Sequence, residues 1–453
     1  MQIIPNLALA VLLMGAVETR PPLVDAAKNG DKDAVRSLIQ KGANVNAAEA
    51  DGATALHWAS YRDDLDSANL LLRAGAKVNA ANDLGVTPLW TASQNGSDAM
   101  VRRLLEAGAN PNAALLAGET PVMVASRSGY PVVVERLIAK GANVNARAAR
   151  GQTALMWAVS QKHPDVVKVL LAGGAGVHAR TEAWSQVMAI TPHGYLDYNR
   201  AIPHGNDTAL MFAARVGDLD SARLLAAAGA NVNDADAWGV SAATLAAHSG
   251  HAEVLEFLLD KGADPNAAAA GFSALHTAIM RRDEKMVSAL LTHRADPNAP
   301  LKTWTPTRRS SNDYNFAPEL VGATPFWLAA RFSQPNAMRL LLKHGADPLF
   351  VHRGEHVTGG IAGNGYQHRT NVTTALMAAA GIGGGEAWVQ PDPGEREALI
   401  LEAVKLALDL GVDINAANTD GRTALDGART LKLDTVVKFL VEKGAKPGTP
   451  KKP

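Results

Sequence analysis

Apolar residues recur along this chain in short clusters at helical spacing, two clusters to a unit, with polar glycine-bearing stretches between them. TALHWAS from Thr54 is followed by the run Leu70, Leu71, Leu72, and TPLWTAS from Thr87 by Val101, Leu104 and Leu105. Local chemistry explains where each cluster begins and ends. Asp51-Gly52 is a turn dipeptide leading into Thr54, whose hydroxyl suits an orphan amide at a helix start. Where proline comes next, as at Pro88, Pro121 and Pro325, its missing N–H costs nothing in the first helical turn. Ala59 and Ala125 are small enough for two helices to approach closely. The second cluster stops at Gly75 or Gly108, the residue type that takes a left-handed C-terminal cap without steric penalty. An Asn-x-Asn-Ala stretch then turns the chain onward. Each unit is therefore expected to be helix, turn, helix, hairpin.

The opening threonines Thr54, Thr87, Thr120 and Thr153 fall 33 residues apart, each two residues after a glycine. A second phrase recurs in step: RAGAKVNA, EAGANPNA, AKGANVNA. One such unit cannot bury its own apolar face, so so strict a period means a stacked array stabilised by neighbours. A 33-residue unit with a T-P-L-H-x-A core resembles the ankyrin repeat. That resemblance implies an all-α solenoid with β-hairpin tips, a family that binds proteins through hairpin tips and first-helix faces, and the expectation for this chain is a non-catalytic scaffold that docks a partner protein on the concave face and the three hairpin-side insertions. It also implies that His57 and His276, at the histidine of the TALH phrase, bond the helix-opening hydroxyl and are not general bases.

Eleven units can be followed, the first from near Pro22 and the later ones opening at Thr208, Ser241, Ser273, Thr324, Thr374 and Thr423. Four of the later intervals are 55, 51, 50 and 49 residues in place of 33, which marks insertions. Three lie at hairpin tips, near 179–205, 300–322 and 350–372, and are expected to form one feature. The fourth, near 382–396, falls between the helices of its unit, so it is expected at the opposite edge as part of another. Between a leading segment, 1–20, and a polar tail, 449–453, a continuous array over 21–448 is expected. Arg294 stands at the usual cap glycine and should strain or reshape that helix end by roughly 1 kcal/mol. Gly176, His178 and Leu349 depart from the paired asparagines directly before insertions, where the hairpin is expected to be remodelled.

At 453 residues a compact protein would divide into domains, whereas a repeat array simply lengthens. Lys+Arg and Asp+Glu both number 44, which leaves no electrostatic footprint for nucleic acid or an anionic membrane. Cysteine is absent, so disulfides, thiolate chemistry and cysteine zinc ligands are excluded, and no lipoprotein anchor is expected. Leu7 to Val17 is an apolar run of signal-peptide length, too short to span a bilayer. It points to an exported, bacterial, periplasmic or secreted protein whose mature chain begins near Arg20 to Leu23. A cytoplasmic chain with an apolar capping helix is the alternative.

Few residues offer chemistry. His352, Glu355 and His356, with His368 beyond, place imidazoles and a carboxylate in one stretch, but the surrounding glycines argue for a flexible polar loop instead of a metal-binding helix. Gly381 to Gly385 has the composition of a phosphate loop without its strand or its Lys-Ser/Thr, and is expected to be a hinge. The competing function, a hydrolase or metal-dependent enzyme built from the insertions, has His193, His204, His352 and His356 as its ligands; an inhibitor of a secreted enzyme is a third reading. No cofactor is expected, and a monomer is. Aromatic residues gather in the insertions, where they either pack as satellite cores or form a contact surface. Trp184, Tyr195, Tyr198, Trp304, Arg308, Arg309, Tyr314 and Phe316 are the candidate partner-binding residues. The contact reading expects partly exposed rings in two sets roughly 30 Å apart, three helix-packed units from each other.

Overall fold

The computed structural model describes residues 20–189, 195–306, 314–359 and 365–449. The chain resolves into two compact units, one running to residue 149 with 172–174, the other comprising 150–171 and everything from 175.

The first unit holds four helix pairs: α1 (Pro22–Asn29) and α2 (Lys32–Gln40), α3 (Ala55–Tyr61) and α4 (Leu65–Arg73), α5 (Pro88–Asn95) and α6 (Asp98–Glu106), α7 (Pro121–Ser128) and α8 (Pro131–Ala139). First helices stack on first helices and second on second. The opening threonines act as the turn chemistry requires. Thr87 Oγ1 accepts from the Trp90 N–H at 3.2 Å with Pro88 in the first turn, and Thr54 is held in a capping box with His57. Leu71 and Leu104 are fully buried, and Leu105 nearly so.

Asparagine in the hairpins does more than turn the chain. Asn79 donates to the Gly108 carbonyl at 3.1 Å and accepts from the Asn110 N–H at 2.7 Å, joining one unit to the helix end of the next. Asn46 and Asn112 repeat the staple. The second asparagine of each pair thus satisfies an otherwise orphaned helix-end carbonyl.

The second unit continues with seven pairs: α9 (Ala154–Ser160) and α10 (Pro164–Ala172), α11 (Ala209–Val216) and α12 (Leu219–Ala227), α13 (Ala242–Ser249) and α14 (Ala252–Asp260), α15 (Ala274–Met280) and α16 (Glu284–Thr292), α17 (Pro325–Arg331) and α18 (Pro335–Lys343), α19 (Ala375–Ala379) and α20 (Arg396–Asp409), α21 (Ala424–Thr430) and α22 (Asp434–Glu442). Two strand pairs stand among the described helices, more regular strand than expected of an all-α solenoid with β-hairpin tips. β1 (Trp184–Ala189) pairs antiparallel with β2 (Asn199–His204), and β3 (His352–Gly359) with β4 (Tyr366–Thr373). Arg294 keeps the left-handed conformation, φ 68°, with Ala295 N–H still bonded to Leu290 O at 2.9 Å. The helix end is strained and not reshaped. Asn266 staples to the Arg294 carbonyl at 3.1 Å as if glycine stood there. Where His178 replaces the stapling asparagine, the next hairpin is held by Arg180, which pairs with Asp234 at 2.6 Å and donates to the Ala235 carbonyl at 3.1 Å.

Candidate protein-interaction surface

The extra segments of the second unit are built into one another. Tyr198, just before β2, lies against Trp304 with ring centroids 5.4 Å apart, and Val357 of β3 completes a buried cluster. The Tyr198 hydroxyl accepts the Val357 N–H at 2.9 Å, and burial raises its pKa above the ordinary phenol value. Arg200 lies 4.2 Å from the Trp304 ring centre and donates to Thr303 Oγ1 at 2.7 Å. Tyr195 is half-buried, 5.1 Å from the Tyr366 ring, with its hydroxyl 3.2 Å from His368 Nε2. Three segments far apart in sequence therefore meet in one ring cluster.

A second cluster lies beside the first helices. Thr305 Oγ1 accepts from the Phe316 N–H at 2.9 Å and donates to the Tyr314 carbonyl, closing the loop on itself. This sets Tyr314 4.7 Å and Phe316 5.1 Å from the Phe272 ring. Tyr314 also lies against His248, at the end of α13, with ring centroids 4.2 Å apart and the planes tilted.

Trp388 joins this cluster from the segment between α19 and α20. Its indole N–H donates to the Asn315 carbonyl at 2.8 Å, its backbone N–H to Met280 O at 3.0 Å, and its ring lies 5.2 Å from Phe316. The expectation that the fourth segment belongs to a separate feature is therefore corrected. After α19 the chain runs back along the ends of α17 and α15, because Arg331 holds Gly384 O and Gly385 O at 3.0 and 3.1 Å.

Exposure of the rings is corrected as well. Trp304 is 7% exposed and Phe316 wholly buried, with Tyr198 and Tyr314 similarly covered. These four rings pack as satellite cores. Nor are the two sets far apart, since Tyr198 touches Trp304 and both sets border one cavity. Counting stacked units measured the separation of their roots, whereas hairpin β1–β2 reaches along the stack. That cavity, about 530 Å³, is lined by Trp184, His204, Asp207, Asp236, Trp238 and Tyr314 among others. Asp236 accepts from the Val240 and Trp238 N–H groups at 2.8 and 2.9 Å. Burial first, then the neighbouring charge of Asp207, pushes its carboxyl up to about 6.

Four apolar residues of these segments keep solvent contact: Val187 is 72% exposed, Leu196 77% and Tyr366 39%, while Trp184, on the opposite face of β1 from Val187, is 38% exposed at the cavity. A search for aromatic clusters passes over Val187 and Leu196; the alternation of WSQVMA was the available signal, in a strand too short to stand out. Arg308, Arg309 and His193 lie outside the described residues.

The histidines face separate partners. His204 stacks on Trp184 at 4.5 Å. His352 donates from Nε2 to the Val321 carbonyl at 3.0 Å and lies 4.3 Å from the Trp327 ring. His356 stands opposite Arg369 in the β3–β4 ladder. The stretch read as a flexible loop is strand, and the described residues bring no three His, Asp or Glu side chains together as a metal-holding group. His57 and His276 hold the helix-opening residues. Nδ1 of His276 accepts the Ser273 N–H at 3.2 Å, so the ring proton is on Nε2 and goes to Ala299 O at 3.0 Å. Burial lowers the His276 pKa to about 4.

A family model described as ankyrin repeats (3 copies) matches residues 23–115, 89–181, 192–269 and 210–301, more than half the chain. The chain belongs to the ankyrin-repeat family. A single-repeat model, ankyrin repeat, matches residues 321–353 of this ankyrin-repeat protein as well. Among solved structures it is similar to the crystal structure of the human ASB11 ankyrin repeat domain, at 32% identity over 54% of this chain and 100% of that one, with a TM-score of 0.45. Ankyrin repeats generally mediate protein–protein interaction, and the family is typically non-catalytic.

Proposed function

We propose that this ankyrin-repeat protein is a non-catalytic scaffold that docks a partner protein on the outer face of its loop layer. The observation that carries this is a set of solvent-exposed apolar side chains, Val187, Leu196 and Tyr366, with Trp184 at the cavity rim, on segments anchored by a packed base of buried rings. Apolar side chains held rigidly at the surface lose little conformational entropy on binding, and such patches mark interaction sites. The concave docking expected of first-helix faces is narrowed here, because Tyr314, Phe316 and Trp388 of the same chain lie over the ends of α13 and α15. Tyr198, Trp304, Tyr314 and Phe316 then support the surface, while Tyr195 belongs to it and Trp184 stands at the cavity rim.

The array spans residues 21–448 in about eleven units, is monomeric, and is exported from a bacterial cell to the periplasm or medium. The first helix begins at Pro22, just past the apolar run, which is consistent with a mature start near Arg20 to Leu23. Residues 1–19 lie outside the described ones, and no described helix is long and apolar enough to cross a membrane.

The test is affinity capture from the native organism with wild type against a Val187→Asp, Leu196→Asp double variant. Both positions are exposed, so the fold should persist while partner recovery falls. Equal recovery of the same partner by both proteins would refute the docking surface. Amino-terminal sequencing checks export separately; an intact Met1 on a cytosolic protein would favour the capping-helix alternative.

A further inference from the structure

The segment between α19 and α20 encloses, with the ends of α17 and α19, a second cavity of about 430 Å³. Two arginines line it, Arg331 at the end of α17 and Arg396 at the start of α20. Arg331 is fixed: Nε and Nη2 donate to the Gly384 and Gly385 carbonyls, which sets the plane of the guanidinium. Its remaining N–H donors have no acceptor among the described residues, and Arg396 has neither an ion pair nor a hydrogen-bonded acceptor among them. Glu386, the one acidic residue of the lining, is exposed and makes no ion pair with either.

Two cations facing one cleft oppose each other. Burial, and then the charge of Arg396, hold the Arg331 pKa below its usual value. Glu386 acts on Arg331 in the opposite sense but bonds neither cation, and two guanidinium groups in a shared hollow with one unpaired, exposed carboxylate are unfavourable unless something further anionic offsets them. The glycine run explains how the arrangement is held. Gly383, Gly384 and Gly385 all have positive φ, and a Cβ on Gly384 would meet the Glu319 side chain at 2.9 Å. Glycine lets the segment lie against residues 318–320 and aim two carbonyls at Arg331. Its task is to orient a cation, not to cradle phosphate with its own amides.

We propose that this cavity binds a small oxyanion ligand, a phosphate ester or a dicarboxylate, gripped between the guanidinium groups of Arg331 and Arg396. Planar guanidinium forks match the paired oxygens of either group, and the volume falls within the range of about 300–1,000 Å³ typical of small-molecule sites. The site stands apart from the docking surface, so neither reading depends on the other.

The test is calorimetric titration of the full chain with inorganic phosphate and with succinate, at constant ionic strength set by chloride. Saturable binding of at least one probe is expected, weakened roughly tenfold or more in Arg396→Gln, as expected for loss of a charge-assisted contact. Arg396 is exposed, so circular dichroism and melting of that variant should match wild type without ligand; Arg331→Lys, which keeps the charge and loses the fork, should also weaken binding. Phosphate alone binding assigns the ester class, and succinate alone the dicarboxylate class. No saturable heat with either probe, or unchanged affinity in Arg396→Gln, would overturn the proposal.

Discussion

Trp304→Ala is the perturbation that most sharply separates a packed ring cluster from free loops. The indole is 7% exposed, faces Tyr198 at 5.4 Å and carries Arg200 over its ring at 4.2 Å. A tryptophan buries about 150–250 Å², which at about 25 cal/mol per Å² amounts to roughly 4–6 kcal/mol as an upper bound. Partial collapse of neighbours lowers this, and measured truncations of buried large aromatics cost about 3–5 kcal/mol. The cluster is small and near the surface, so about 3 kcal/mol is the expectation. In a repeat protein the loss is felt near the lesion, so it should emerge as an early, separate transition. Urea denaturation followed by near-ultraviolet circular dichroism would resolve it. A transition superimposable on wild type would refute the packing argument, because an indole covered in the structure would then contribute nothing.

Other outcomes follow from single residues. Arg294→Gly should stabilise the protein by roughly 0.5–1 kcal/mol in chemical denaturation, since glycine takes φ 68° without strain. Leu71→Ala, at a fully buried position in the first unit, should cost about 2–5 kcal/mol in the same assay. His276 titrates at about 4 when folded and near 6.5 when unfolded, so the unfolded chain binds more protons between those values. Its contribution is therefore complete above pH 6.5 and lost as pH falls toward 4, up to about 3 kcal/mol. A His276→Gln variant should show a correspondingly flatter stability profile over that window.

The helix pairs were legible because their causes are local. Thr87 with Pro88, the cap glycines and the Asn-x-Asn phrase each act within a few residues, and the period repeats them until the pattern is unmistakable. Arg294 was legible for the same reason: one side chain at a position whose backbone geometry the neighbouring units define. The loop layer was not. Tyr198 meets the Val357 amide across 159 residues, and Trp388 meets Asn315 across 73. Such contacts leave no periodicity, and a rule that assigns each insertion to the edge where it departs ignores how far an extended segment travels. Trp388 crosses to the other cluster because Arg331 draws the glycine run along the helix ends. Aromatic composition correctly marked these segments as unusual, but could not say which rings point inward. Val187 and Leu196, which face outward, carry no such mark.

Native-state hydrogen exchange at two backbone amides tests the loop layer most directly. Val357 N–H is bound by the Tyr198 hydroxyl and Trp388 N–H by the Met280 carbonyl, so both should exchange orders of magnitude more slowly than free peptide, and Trp304→Ala should release Val357 before the helical amides of α15. Exchange of both amides in the wild-type protein at the rate of an unstructured chain would contradict the account, leaving the insertions as separate loops with no fixed surface for a partner.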